Sequence, residues 1–250
     1  MRVTILGAGT AIPAERHSPA GLYVQAGREH VLLDAGPGTL QRLHAARVPW
    51  QELDRIFITH FHLDHCLDLA SILFALRIPG LRRTKPLAVY GPRGLRRLYR
   101  RLNAAFQGWL APRGFAVTFK EVGETTLRLP GYAVAVRRMR HYDTGAVGYR
   151  LTAGGRSLAY SGDTDYCRSV VELGRLAHVL VLECSMTDER KADGHLSPGE
   201  CGRIADEAGC RRLVLTHFYP VFRNYDIRGR VRRRFRGPLT LARDFTTLTL

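Results

Sequence analysis

Six consecutive residues, His60-Phe61-His62-Leu63-Asp64-His65, carry three imidazoles and a carboxylate, and they follow directly on Arg55-Ile56-Phe57-Ile58 and Thr59. The apolar run reads as a buried strand. A polar cluster this dense at a strand's C-terminal end is where α/β folds open into their sites. His60 and His62 are two positions apart, so an extended backbone points both the same way. Asp64 and His65 come after a turn and can aim at a second point a few Å off. Imidazole nitrogens with a carboxylate suit Zn²⁺ or a similar first-row ion.

Around this cluster, short apolar runs alternate with helical patterns. Residues 2–7, 20–26, 30–34, 55–58 and 87–91 read as strands, with helices over 38–47, 66–77 and 93–107. Strands then cluster at 115–120, 125–129, 132–139, 147–152 and 157–161. The last third alternates again: strand 178–183, helix 198–208, strand 211–216, helix 226–235, strand 245–249. Strand blocks interleaved with helices indicate a layered α/β or α+β fold. No linker composition interrupts residues 1–250, so one domain is expected.

Other residues fall at strand ends. His141 closes Tyr132–Arg140, His217 closes Leu213-Val214-Leu215-Thr216, and Asp163 follows Leu158-Ala159-Tyr160. Asp34 follows Val31-Leu32-Leu33, and Glu183 ends Val179-Leu180-Val181-Leu182. His195 sits just before Ser197-Pro198-Gly199-Glu200, which has the form of a capping box with Pro at the first helical position.

The motif HxHxDH, with Asp34-Ala35-Gly36, His141, Ser161-Gly162-Asp163-Thr164, His195 and Thr216-His217 in order, resembles the metallo-β-lactamase fold superfamily. Within it the chain is most similar to the tRNase Z group and its phosphodiesterase relatives. Gly9-Thr10-Ala11-Ile12-Pro13 with Arg16 and Ser18, Tyr90-Gly91-Pro92 and Gly194-His195-Leu196-Ser197 carry that resemblance. It implies a four-layer αββα sandwich with two divalent metal ions at one edge, zinc by default, manganese or iron being open. One ion would take His60, His62, His141 and Asp163. The other would take Asp64, His65, His217 and Asp163, whose carboxylate bridges. Two such ions lower the pKa of a water between them and clamp a phosphoryl oxygen. Asp34 would orient a ligand histidine. Asp64 would also orient the attacking water, His195 would bind phosphate or protonate a leaving alkoxide, and Glu183 would partner His195.

The chain departs from the group twice. Asp68 replaces the usual Gly after the motif. His141 and Asp163 are only 22 positions apart, leaving no room for the tRNA-gripping arm that bacterial members commonly insert there. That spacing argues against dedicated tRNA 3′ processing and for a broader phosphodiesterase.

A formal charge of +16 and a pI near 10.4 favour polyanionic partners. Of the 38 basic residues only Lys85, Lys120 and Lys191 are lysines, a skew that a GC-rich genome explains. The excess of base over acid is not explained that way. Arg93, Arg97 and Arg101 recur at four-residue spacing, and Arg228 to Arg236 form a second cluster. The expected partner is a phosphodiester, RNA or a cyclic nucleotide, with a homodimer allowed. The apolar stretches are too short to span a bilayer. The start lacks a signal-peptide pattern, and five scattered cysteines form no CxxC pair, so the cytoplasm is expected. Two other functions stay open: a thioester, lactone or β-lactam hydrolase on the same fold, and a non-catalytic nucleic-acid-binding module. The basic charge and His195 argue against the first, and the full ligand set argues against the second.

Overall fold

A computed structural model describes residues 1–222 and 224–250. Among them, six strands open the chain: β1 (Arg2–Gly7), β2 (Gly21–Ala26), β3 (Glu29–Leu33), β4 (Arg55–Phe57), β5 (Leu87–Gly91) and β6 (Val117–Glu121). Seven follow: β7 (Thr125–Leu129), β8 (Tyr132–Arg138), β9 (Val147–Ala153), β10 (Arg156–Tyr160), β11 (Val179–Glu183), β12 (Leu213–Thr216) and β13 (Leu239–Leu241). The last strand, β14 (Thr247–Thr249), returns to the first group. The two sheets have orders β14-β1-β2-β3-β4-β5-β6 and β13-β12-β11-β10-β9-β8-β7.

Seven helices cover the outer faces: α1 (Thr39–Ala45), α2 (Leu63–Cys66), α3 (Asp68–Leu76), α4 (Leu95–Ala105), α5 (Arg168–Gly174), α6 (Pro198–Ala208) and α7 (Ile227–Arg232). The period of two along each strand sorts its side chains between layers. Val31, Leu33, Phe57 and Tyr90 meet Val134, Tyr149, Leu158 and Tyr160 between the sheets. Leu32, Ile56 and Val89 point the other way, onto Leu43, Ile72 and Leu95 of α1, α3 and α4. On the far side Leu180, Leu182 and Leu215 pack against Val170, Ile204 and Val231 of α5, α6 and α7. The result is the four-layer αββα sandwich expected from the resemblance.

Topology then collects the site. Strands β3, β4 and β5 are parallel, as are β10, β11 and β12. Strand β8 is antiparallel to β9, and β9 to β10, so β8 runs with β10. The C-terminal ends of β3, β4, β8, β10, β11 and β12 therefore share one edge. Bonds between the sheets close that edge, among them Val147 N donating to Thr59 O at 3.0 Å, Tyr149 Oη to Ile58 O at 2.7 Å, and Phe218 N to Ala8 O at 2.9 Å.

Some elements differ from expectation. The helix read over 66–77 is two pieces, and α2 takes in Asp64 and His65, which are helical and not in a loop. Asp68, at the start of α3, accepts from Leu40 N at 2.7 Å. It thereby caps α1, whose own N-cap, Gly38, has no side chain to do so. Helix α5 and strand β13 were not anticipated. The capping box at Ser197 and Glu200 is present. The cysteines are unpaired. Among the described residues, no helix is long and apolar enough to cross a membrane.

Candidate metal centre

The seven residues expected as ligands converge on that shared edge. Ligand atoms of His60, His62, His141 and Asp163 lie within 4.8 Å of one another, and so do those of Asp64, His65 and His217. Asp163 stands between the sets. Its Oδ1 is 3.2 Å from His65 Nε2 and 3.6 Å from His217 Nε2. Its Oδ2 is 3.9 Å from His60 Nε2 and 3.8 Å from His141 Nε2. The loop that presents Asp163 depends on Gly162. Its φ is +59°, and a Cβ there would sit 2.7 Å from the Thr59 side chain, so only glycine fits without strain.

Hydrogen bonds on the far side of each ring assign the tautomers. His65 Nδ1 donates to Asp34 Oδ2 at 2.8 Å, and His141 Nδ1 donates to the Gly194 carbonyl at 2.7 Å. Thr59 Oγ1 gives its proton to Asp34, so it accepts from His60 Nδ1 at 3.0 Å. Ser185 Oγ gives its proton to Glu183, so it accepts from His217 Nδ1 at 2.9 Å. Four Nε2 atoms thus turn bare lone pairs inward. His65 Nε2 and His217 Nε2 face each other across 3.2 Å, and His141 Nε2 faces His62 Nδ1 across 3.1 Å.

Lone pairs crowded around a carboxylate repel one another unless a cation lies among them. The buried His60 Nε2 and Asp163 Oδ1 have no hydrogen-bond partner. Each such orphan costs about 1–3 kcal/mol. A divalent cation removes both costs, so the residues present fit a metal site. Burial holds the His60 and His141 pKa values below the usual imidazole range, which keeps both rings neutral and able to ligate. Burial opposes ionisation of Asp163; positive charge beside it, on the His217 and His65 rings when no cation is bound or on a cation in their place, outweighs burial and holds its carboxyl well below the usual range.

Asp34 lies behind this layer, as the sequence suggests. It accepts from Thr59 N, Thr59 Oγ1, His65 Nδ1 and Tyr160 Oη, all at 2.7–2.9 Å. His195 is buried beside the cluster, with Nδ1 3.0 Å from Glu183 Oε1 and 4.0 Å from Asp163 Oδ2. Burial disfavours its charged form, but the Glu183 hydrogen bond and charge outweigh that and raise its pKa to about 9.

Several contributors were not read from the sequence. Ser185 bridges Glu183 and His217, and the signal was only its place two residues beyond Glu183. Asp165 accepts from Gly194 N at 3.0 Å and from Lys191 Nζ at 2.8 Å, which pins the loop carrying His195. Tyr142 and Tyr219 flank His195, with ring centroids 6.0 and 6.3 Å away.

The model of the beta-lactamase superfamily domain matches residues 29–218. The ribonuclease Z of Methanosarcina acetivorans is 30% identical, with 87% of each chain covered. Among solved structures, the metallo-beta-lactamase fold protein YhfI from Bacillus subtilis superposes with a TM-score of 0.85 at 24% identity, covering 99% of this chain and 98% of that one. The short form of human tRNase Z superposes with a TM-score of 0.81 at 25% identity, covering 100% and 99%.

Proposed function

From the fact that this chain belongs to the beta-lactamase superfamily, we propose that it is a metal-dependent phosphodiesterase of the ribonuclease Z type. The observation that carries this is Asp163, whose two oxygens each face a separate histidine cluster. His60, His62, His141 and Asp163 would hold one divalent ion. Asp64, His65, His217 and Asp163 would hold the other. Zinc is the expected ion, with manganese or iron as the alternatives. Bound there, the ions supply an acidified water and an electrostatic clamp on the phosphoryl oxygens.

The chain's own residues do the rest. Asp64 orients the attacking water. Glu183 holds His195 by its Nδ1, and His195 donates the proton that the leaving alkoxide needs. Tyr142 and Tyr219 form the rim. Residues 1–250 act as one domain, and the expected setting is the cytoplasm. The basic surface favours RNA as substrate. The segment between His141 and Asp163 holds the β9–β10 hairpin rather than an arm, so substrates are not restricted to tRNA precursors.

Elemental analysis of the purified protein should find about two divalent ions per chain. The protein should hydrolyse bis(p-nitrophenyl) phosphate in preference to a thioester or a lactone, and a chelator should abolish the activity. A protein that neither holds nor recruits metal, or that prefers the thioester or lactone, overturns the assignment.

A further inference from the structure

We propose that the groove between α3 and α4 is the track along which the single-stranded part of an RNA substrate leaves the metal centre. The track presupposes the phosphodiesterase function proposed above and adds a location and a mode of recognition. Six of the ten large apolar side chains exposed among the described residues belong to α2, α3 and the segments that adjoin α3 and follow α4, and three of them, Phe74, Phe106 and Trp109, line the groove itself. Leu63, Leu67 and Phe74 descend α2 and α3 from the metal-binding motif itself, with Ile78 beyond them. Phe106 and Trp109, just after α4, are 49% and 56% exposed and close the far end. Between them lies a cavity of about 590 Å³ lined by Ala70, Ser71, Phe74, Ala105, Phe106 and Trp109, large enough for a nucleobase.

The opposite bank is basic. Arg97, Arg101 and Ala105 follow at i, i+4 and i+8, so they share one face of α4. Ala105 lines the cavity at one end of that face. At the other end, the Arg97 guanidinium and the Phe61 ring both close on Gly94, beside the metal-binding motif. The face is therefore continuous with the catalytic edge over about 12 Å. Arg93 and Arg96 lie by Glu121. Among the described residues, no carboxylate pairs with Arg97, Arg100 or Arg101. The Arg77 guanidinium sits 4.7 Å from the centroid of the Trp109 ring, which leaves the exposed part of the indole for a base. Unpaired arginines beside exposed aromatics are how single strands are held without sequence preference. A second copy of the chain fits less well. In a two-fold dimer the same surface is used twice, which would bring two sets of unpaired arginines into one interface between chains of charge +16.

The test uses chelator-treated protein, so that binding is read without cleavage. Hexauridylate binding, followed by tryptophan fluorescence and anisotropy, should be steeply salt-dependent. Trp109→Ala should weaken it about tenfold or more, and Trp109→Phe should restore most of the loss. Arg97→Glu with Arg101→Glu should flatten the log–log salt slope by about 1.4. Leu176→Ala, an exposed apolar change on α5's side of the molecule, should leave affinity alone. Unchanged affinity and slope in the folded Trp109 and arginine variants overturn the track. So does a wild-type dimer that Trp109→Ala splits without altering RNA affinity, since the surface then belongs to a second copy. Diester hydrolysis by metal-loaded wild type, measured in parallel, separates the two ideas. Hydrolysis without hexauridylate binding sinks the track alone, and binding without hydrolysis sinks the parent function.

Discussion

Asp163→Asn should lower bis(p-nitrophenyl) phosphate turnover by on the order of a thousandfold, about 4 kcal/mol of barrier. It should also cut bound metal from about two ions per chain to one or fewer. The side chain keeps its shape and loses one of its two acceptors. In the wild type Oδ1 faces His65 and His217 while Oδ2 faces His60 and His141. An amide must turn its NH₂ toward one of these groups, and there it meets inward-facing lone pairs where a cation belongs. The NH₂ can donate to them, so the fold should survive while that metal position is lost. Asp64→Ala should act in the same direction, because its Oδ2 lies 3.4 Å from His217 Nε2 in the second group. Elemental analysis beside turnover separates this from a purely structural role, which would lower Tm without changing metal content in the folded fraction. Retention of more than about a tenth of the rate by either variant would contradict a ligand role.

His195→Ala should cost about 10²–10⁴ in kcat on a ribonucleotide diester and much less on p-nitrophenyl esters. A nitrophenolate departs without a proton, whereas a ribose alkoxide needs one. The pH dependence follows from the same pair. Glu183 stabilises the imidazolium, so the His195 pKa is raised to about 9. The proton donor exists below that pKa and is lost as pH rises through it. The ribonucleotide reaction should therefore show an alkaline limb at or below pH 9, since cations at Asp163 pull the value down. Glu183→Gln removes the carboxylate that raises the pKa, so the limb should move to lower pH. The p-nitrophenyl reaction should lack this limb. Equal losses on both substrates in His195→Ala, with an unmoved limb in Glu183→Gln, would make His195 a phosphate-binding or structural group.

The elements the sequence hid share a physical cause. Helix α5 has seven residues and ends on Gly174, so it offers too few turns for an amphipathic period to show. Strand β13 is three half-buried residues that exist by pairing with β12. Helix α2 is four residues long and was hidden inside the metal-binding motif. Its helical turn follows extended His62, so His60 and His62 leave from strand-like backbone while Asp64 and His65 leave from a helix. Two aiming points were legible from the spacing, but the helical turn that separates them was not.

Local sequence settled which residues stand at strand ends. Apolar runs define buried strands, and the polar residues that stop them, His60, His141, Asp163, Glu183 and His217, are the ones left at the edge. Sheet order and register decided what those ends meet, and no local pattern encodes either one. Asp34 reaches His65 across 31 positions, Ser185 reaches His217 across 32, and His141 reaches His62 across 79. Each contact exists because parallel pairing brings distant C-terminal ends to one edge and packing between the sheets closes that edge. Local sequence thus determines the donor atoms and their spacing along each strand. The tautomers, the turning of each Asp163 oxygen toward a different pair of histidines and the raised pKa of His195 came only with the tertiary structure, since each depends on a group contributed by another strand.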